Sequence, residues 1–152
     1  TLYRNFQGYT VKRGAGMIGI GASAIGEIGA SYFQNIREAK AYEESVNATG
    51  LASFRGLLLT QEDQERKWVI QQLMCKFVLR YSDYQEKFGK DFKNQFEKEI
   101  KGLSDFVNEE IVTLSAEGIT ISDLGRLFIR NVAMVFDAYL ALPSQATYSK
   151  TL

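Results

Sequence analysis

Ile111-Val112-Thr113-Leu114, then Ser115-Ala116-Glu117-Gly118, then Ile119-Thr120-Ile121 is the stretch on which the fold class turns. Two short runs rich in β-branched residues flank four turn residues that include a glycine, the pattern of a β-hairpin. The sequence on both sides of it has helical spacing. Upstream, Asp91 opens a segment in which Phe92, Phe96, Ile100, Leu103 and Val107 recur at steps that place them on a single helical stripe. Downstream, Ser122-Asp123 caps a last helix whose Leu124, Leu127, Phe128, Val132, Val135 and Phe136 are expected to face inward, with Pro143 at or just past its end. One hairpin set among helices predicts an α+β chain that is mostly helical.

Working further outward, Ser82-Asp83 is expected to cap a short helix that stops at Gly89. Before it, Thr60 precedes Gln61-Glu62-Asp63, an N-cap followed by an acid at the third position. The helix opened there carries Trp68, Val69, Leu73, Met74 and Phe77 on one face. The order helix, short helix, helix, hairpin, helix resembles a winged helix. Leu51 to Leu59 reads as a connector. Ile36, Ala39, Tyr42 and Val46 place another helix from Asn35 to about Ala48, stopped by Gly50. The chain's first 34 residues differ in composition. They hold Gly8, Gly14, Gly16, Gly19, Gly21, Gly26 and Gly29, seven of the 13 glycines. Met17-Ile18-Gly19-Ile20-Gly21-Ala22 reads as a short buried strand, and Ser23–Gly29 as a loop after it. Residues 1–50 thus read as the closing strand and helix of an α/β unit, and residues 51–152 as a helix-rich domain.

Composition narrows the functions. The 18 basic and 18 acidic side chains cancel, so any anion site must be local. The single cysteine, Cys75, rules out an internal disulfide and any multi-cysteine metal site built from this chain alone. With no histidine, histidine catalysis and histidine-ligated zinc are excluded. No apolar run approaches the ~18 residues of a membrane span, and the expected location is cytoplasmic. Thr1-Leu2-Tyr3-Arg4-Asn5-Phe6 has no Met and reads like the middle of a longer chain.

Several motifs carry both a chemical and a plain reading. Gly14-Ala15-Gly16-Met17-Ile18-Gly19 satisfies the dinucleotide pattern G-x-G-x-x-G, but the apolar strand begins inside it and no helix opens at Gly19, which favours close strand packing. The helix–hairpin unit invites a nucleic-acid reading. Yet Asp91, Glu97, Glu99, Asp105, Glu109 and Glu110 outnumber Lys93, Lys98 and Lys101 on the candidate recognition helix, so phosphate would be repelled. Cys75 sits near an apolar stripe with no histidine to activate it, the signature of an inert buried thiol. Arg126, Arg130 and Asp137 on the last helix suit either a carboxylate substrate or surface pairing.

Arg4-Asn5-Phe6-Gln7-Gly8-Tyr9-Thr10, followed by Gly19-Ile20-Gly21-Ala22-Ser23-Ala24-Ile25-Gly26, resembles the late barrel region of the oxygen-independent coproporphyrinogen III oxidases, a radical S-adenosylmethionine family. The resemblance continues through Ser31-Tyr32-Phe33-Gln34-Asn35, Arg55-Gly56-Leu57-Leu58-Leu59-Thr60, Leu73-Met74-Cys75, Gly125-Arg126-Leu127, Ile129-Arg130-Asn131, Phe136-Asp137 and Tyr148-Ser149-Lys150, in order along the chain. It implies that residues 1–50 are the C-terminal end of a partial (β/α) barrel. Residues 51–152 are then a winged-helix-like helical domain over the barrel mouth.

The implied activity is oxidative decarboxylation of two propionates of coproporphyrinogen III to vinyls, giving protoporphyrinogen IX in haem synthesis through a 5′-deoxyadenosyl radical. The implied cofactors are a 4Fe-4S cluster and two molecules of S-adenosylmethionine, with Gln7 and Ile25 falling where the family contacts the second of them. The cysteine triplet that holds the cluster is absent, so the chain is expected to be an inactive C-terminal fragment with no catalytic residue and no metal ligand of its own. Its expected partners are the tetrapyrrole substrate and a missing N-terminal barrel half, with neither nucleic acid nor membrane. The alternatives are a stand-alone winged-helix interaction module and a haem-trafficking relative of the same superfamily.

Overall fold

A computed structural model of the chain describes residues 2–5, 8–11 and 16–140. Gln7, Gly14, Pro143 and Tyr148 lie outside the described residues. The chain divides into two compact units, Thr1–Glu65 and Arg66–Leu152.

The first unit is built on antiparallel pairs. Strand β1 (Tyr3–Asn5) pairs with β2 (Gly8–Thr10), which sets Arg4 opposite Tyr9, the guanidinium 5.7 Å from the ring centroid. Strands β3 (Ile25–Ile28), β4 (Ser31–Asn35) and β5 (Ser53–Leu58) form a three-stranded sheet in that order. The β3–β4 turn has Gly29 at φ 58°, and Ser31 Oγ donates to the Ile28 carbonyl at 2.7 Å. Gly26 lies opposite Phe33, whose ring covers it so closely that a Cβ there would strike the ring.

Helix α1 (Ala39–Thr49) follows. Glu38 caps it, its carboxylate accepting from Ala41 N at 2.6 Å and Lys40 N at 2.9 Å. Those two backbone donors, Ala41 first, hold the Glu38 carboxyl below its ordinary range. Gly50 ends the helix in the left-handed region at φ 76°, as expected.

Several expectations fail in this unit. Met17–Ala22 is not a strand. Met17 makes a lone bridge to Glu27, while Ile18 and Ile20 are 70% and 90% exposed. The strand lies instead in the expected loop, because Ile25–Ile28 has a partner ladder in β4 and the preceding glycine-rich run has none. Asn35 ends β4, so α1 starts four residues later than expected. The connector 51–59 contains β5, which carries no alternating pattern because all six of its residues are exposed.

Helix α2 (Gln61–Lys76) leads into the second unit. Its start is the expected capping box. Thr60 Oγ1 accepts from Asp63 N at 3.1 Å, and Asp63 Oδ2 accepts from Thr60 N at 2.9 Å. The chain turns out of α2 at Phe77, which sits at φ 58° with its carbonyl accepting from Ile121 N at 2.9 Å. Then come β6 (Val78–Arg80), α3 (Tyr81–Phe88), α4 (Phe92–Gln95), α5 (Glu97–Gly102) and α6 (Ser104–Asn108). The expected hairpin follows as β7 (Val112–Leu114) and β8 (Gly118–Ile121). β6 joins it to give an antiparallel sheet ordered β6-β8-β7. A 3-10 turn over Gly125–Phe128 and helix α7 (Ile129–Met134) close the described part.

The core of this unit is aromatic. Tyr84, Phe92, Phe96 and Phe136 are fully buried, with ring centroids 4.9 Å apart for Phe92–Phe96 and 5.8 Å for Phe96–Phe136. Val69, Leu73, Leu79, Leu103, Ile119 and Val132 fill around them. Burying each such side chain contributes on the order of 1.5–3 kcal/mol. Arg66 lies over the Phe96 ring at 5.4 Å, and its Nη1 donates to Glu99 Oε1 at 2.8 Å and to the Phe136 carbonyl at 3.1 Å.

Three local expectations are corrected here. Ser82-Asp83 does not cap α3; Arg80 holds the cap position with no side-chain bond, and the helix starts one residue before Ser82 because β6 delivers the chain there. The single helix expected from Asp91 is three short pieces interrupted at Phe96 and Leu103, although Asp91 Oδ1 does accept from Asn94 N at 2.8 Å. In the last helix Ser122 Oγ accepts from Gly125 N at 3.0 Å as expected. Its first turn is 3-10, however, and the buried side is taken by Gly125, Ile129, Val132 and Phe136, spaced at steps of four, three and four, which leaves Leu124, Leu127 and Phe128 exposed. Val132 and Phe136 remain buried. The chain is thus mixed helix and sheet, with more strand than a single hairpin.

Candidate functional site

In the first unit the sequence-expected site centres on the turn that precedes Ile25. Its organiser is Asn35, a buried amide whose Nδ2 donates to the carbonyls of Gly19 at 3.2 Å and Gly21 at 3.0 Å. Gly21 N donates to the Tyr42 hydroxyl at 3.1 Å. Ser23 N donates to the Ile36 carbonyl at 2.8 Å, and Gln34 Nε2 donates to the Ser23 carbonyl at 3.1 Å. These groups of the turn are therefore held by β4, α1 or the residue joining them. Gly19 is required, because a Cβ would meet the Ile25 carbonyl oxygen at 2.7 Å. Gly21 at φ 106° and Ser23 at φ 62° adopt backbone that most side chains avoid.

The result is a fixed loop that presents Ile25, half-buried and paired with Gln34, at the start of β3. Gln7, the second expected contact, lies outside the described residues. The G-x-G-x-x-G run does not continue into a helix after Gly19. The next elements are β3 and β4, so the helix N-terminus that a pyrophosphate needs is not supplied there.

In the second unit Arg126, Arg130 and Asp137 have different surroundings. Arg126 Nη2 lies 3.3 Å from Asp123 Oδ1, and its guanidinium stacks 4.8 Å from the Phe77 ring centroid. Arg130 is exposed. Asp137 is turned to its own backbone, accepting from Tyr139 N at 2.9 Å. Sequence reasoning missed the outward turn of Leu124, Leu127 and Phe128 beside these arginines. The signal that could have found it is the competing stripe of Gly125, Ile129, Val132 and Phe136 at helical steps, which is the buried one.

The donor set does not fit an iron–sulfur cluster. Cysteine thiolates hold such clusters, and Cys75 is the only cysteine, buried in the aromatic core's helix. Among the described residues no group of three or more His, Cys, Asp or Glu could hold a metal ion, and no helix is long and apolar enough to cross a membrane.

The HemN C-terminal domain family matches residues 59–128. An oxygen-independent coproporphyrinogen III oxidase from Helicobacter pylori is 42% identical over 151 residues, covering 99% of this chain and 33% of its own. One from Pseudomonas aeruginosa is 39% identical over 152 residues, covering 100% and 33%. The solved structure of coproporphyrinogen III oxidase (HemN) from Escherichia coli, described as a radical SAM enzyme, superposes with a TM-score of 0.88 at 40% identity, covering 91% of this chain and 32% of that one. The chain therefore spans about a third of the length of these relatives. The resemblance carried by the segments around Arg4–Thr10 and Gly19–Gly26 is thereby shown, and this chain matches the C-terminal part of the oxygen-independent coproporphyrinogen III oxidases.

Proposed function

We propose that this chain works as the C-terminal part of an oxygen-independent coproporphyrinogen III oxidase, acting in the cytoplasm in haem synthesis. The whole protein would convert two propionates of coproporphyrinogen III to vinyls. The observation that carries this reading is likeness of about 40% identity along 99–100% of the chain to proteins of that name. Residues 1–50 would finish the barrel together with β5, which pairs with β4 in the same sheet, and the residues after β5 would form a winged-helix-like lid domain. The order α2, β6, α3, the α4–α6 segment, β7, β8 and the β6-β8-β7 sheet support the winged-helix part. Bound in the rest of the protein, a 4Fe-4S cluster and two molecules of S-adenosylmethionine would supply the radical chemistry.

This chain's share is positioning. The loop pinned by Asn35 would hold Ile25 against the second S-adenosylmethionine, with the Gln7 amide offering a donor and an acceptor to its polar end. The lid would exclude water from the reacting propionates.

In an anaerobic assay with coproporphyrinogen III, S-adenosylmethionine and a one-electron reductant, the full-length protein is expected to yield protoporphyrinogen IX. A full-length protein carrying its cluster that forms no vinyl product refutes the reading. In the same assay Gln7→Ala is expected to raise the S-adenosylmethionine concentration for half-maximal rate about tenfold, the loss of roughly 1.4 kcal/mol of binding. An unchanged saturation curve removes Gln7 from the site. The 152-residue chain alone, reconstituted with iron and sulfide, is expected to show no protein-bound cluster absorbance and no turnover. A cluster band that survives desalting would contradict its ligand count.

A further inference from the structure

The outward side of the segment from Leu124 to Met134 breaks the usual rule for an exposed helix. A solvent-facing stripe is normally polar. Here Leu124, Leu127, Phe128 and Met134 are 53%, 80%, 43% and 51% exposed. This orientation is dictated from within, because Gly125, Ile129, Val132 and Ala133 on the opposite side are buried. A Cβ at Gly125 would strike the Ile111 carbonyl oxygen, so the segment has no room to roll.

Two guanidiniums stand in the same stretch. Arg126 is steadied by Asp123 and by the Phe77 ring. Arg130, one helical turn on, is exposed and makes no hydrogen bond or ion pair among the described residues. An exposed cation beside four exposed apolar side chains suits a ligand that is both apolar and anionic. Guanidinium donors match carboxylates in geometry as well as charge.

We propose that this face binds the carboxylate-bearing rim of the tetrapyrrole, with Arg130 taking a propionate, Arg126 supporting it, and Leu127 and Phe128 lying against the ring. The proposal rests on the function proposed above and adds to it the residues that recognise substrate. An interdomain contact with the rest of the protein is the competing occupant. Apolar side chains alone would serve that contact, whereas the unpaired Arg130 favours a carboxylate.

The test uses the full-length protein with Arg130→Gln, Arg130→Lys and Leu127→Asp. It reads the KM for coproporphyrinogen III and the affinity for coproporphyrin III from fluorescence quenching. Arg130→Gln and Leu127→Asp are expected to raise both constants about tenfold or more, with KM changing more than kcat, and Arg130→Lys is expected to recover part of the loss. Constants within twofold of the parent for both Arg130→Gln and Leu127→Asp would overturn the proposal. So would unchanged constants together with faster limited proteolysis of the full-length variants, which would mark the face as a contact with the rest of the protein. If the parent binds coproporphyrin through Arg130 but forms no vinyl product, the proposed activity falls and this site stands. If it decarboxylates normally without Arg130, the site falls and the activity stands.

Discussion

Phe96→Ala is expected to lower the stability of the chain by about 3–5 kcal/mol, read from urea unfolding followed by tryptophan fluorescence. Phe96 is fully buried and touches Tyr84, Phe92 and Phe136 ring to ring, with the Arg66 guanidinium over its face. Its removal deletes a large apolar side chain from the junction of α4 and α5 and opens a hole between rings that are held from several directions. It also strips Arg66 of the surface it rests on. Leu127→Ala is the internal control. With Leu127 80% exposed, its loss is expected to change stability by less than about 0.5 kcal/mol. A Phe96→Ala effect near that of Leu127→Ala would mean that the aromatic cluster is not the core of the second unit.

Arg66→Met is expected to destabilise the chain by about 3 kcal/mol, the lower end for breaking an enclosed ion pair. The side chains of Arg66 and Glu99 are only 15% and 12% exposed, and their contact is 2.8 Å. Methionine keeps most of the volume over Phe96 but leaves the Glu99 carboxylate and the Phe136 carbonyl without the guanidinium that serves both. The small residual exposure is why the lower end is chosen. The double variant Arg66→Met with Glu99→Gln is expected to recover at least half of that loss, because the stranded charge is then gone. A double-mutant cycle showing simple additivity would refute a coupled pair.

The parts of the fold legible in the sequence are those whose signals are local. Thr60 with Asp63, Asp91, Gly50 and Gly89 announce helix ends through their own hydrogen bonds or backbone angles, and the structure uses each at the place expected. The hairpin at Val112–Ile121 was legible because β-branched residues flank a glycine turn. What escaped depends on distant partners. β4 and β5 are joined across α1, so neither contains the information that makes it a strand. Met17–Ala22 has strand-like residues but only one bridging partner, and its isoleucines stay in solvent.

The candidate site was legible only by resemblance. Nothing in periodicity picks Ile25 out of its neighbours. Its setting depends on Asn35 reaching back to Gly19 and Gly21, a contact with no sequence period. The reversed face at Leu127 was misread because two stripes in the segment share the helical period, and the larger side chains of Leu124, Leu127 and Phe128 outweighed the stripe of Gly125, Ile129, Val132 and Phe136 that is buried. Sequence rules fail most informatively where structure serves something other than packing.

Strand β5 has a practical corollary. Phe54 and Leu58 project from it at 69% and 75% exposure, and it forms the margin of its sheet. Unsatisfied ladder groups flanked by greasy side chains recruit further copies of themselves. Storage of the isolated polypeptide will therefore be limited by fibril growth and precipitation at high concentration rather than by melting. A lysine or proline placed at position 54 or 58 is the natural remedy for anyone preparing it.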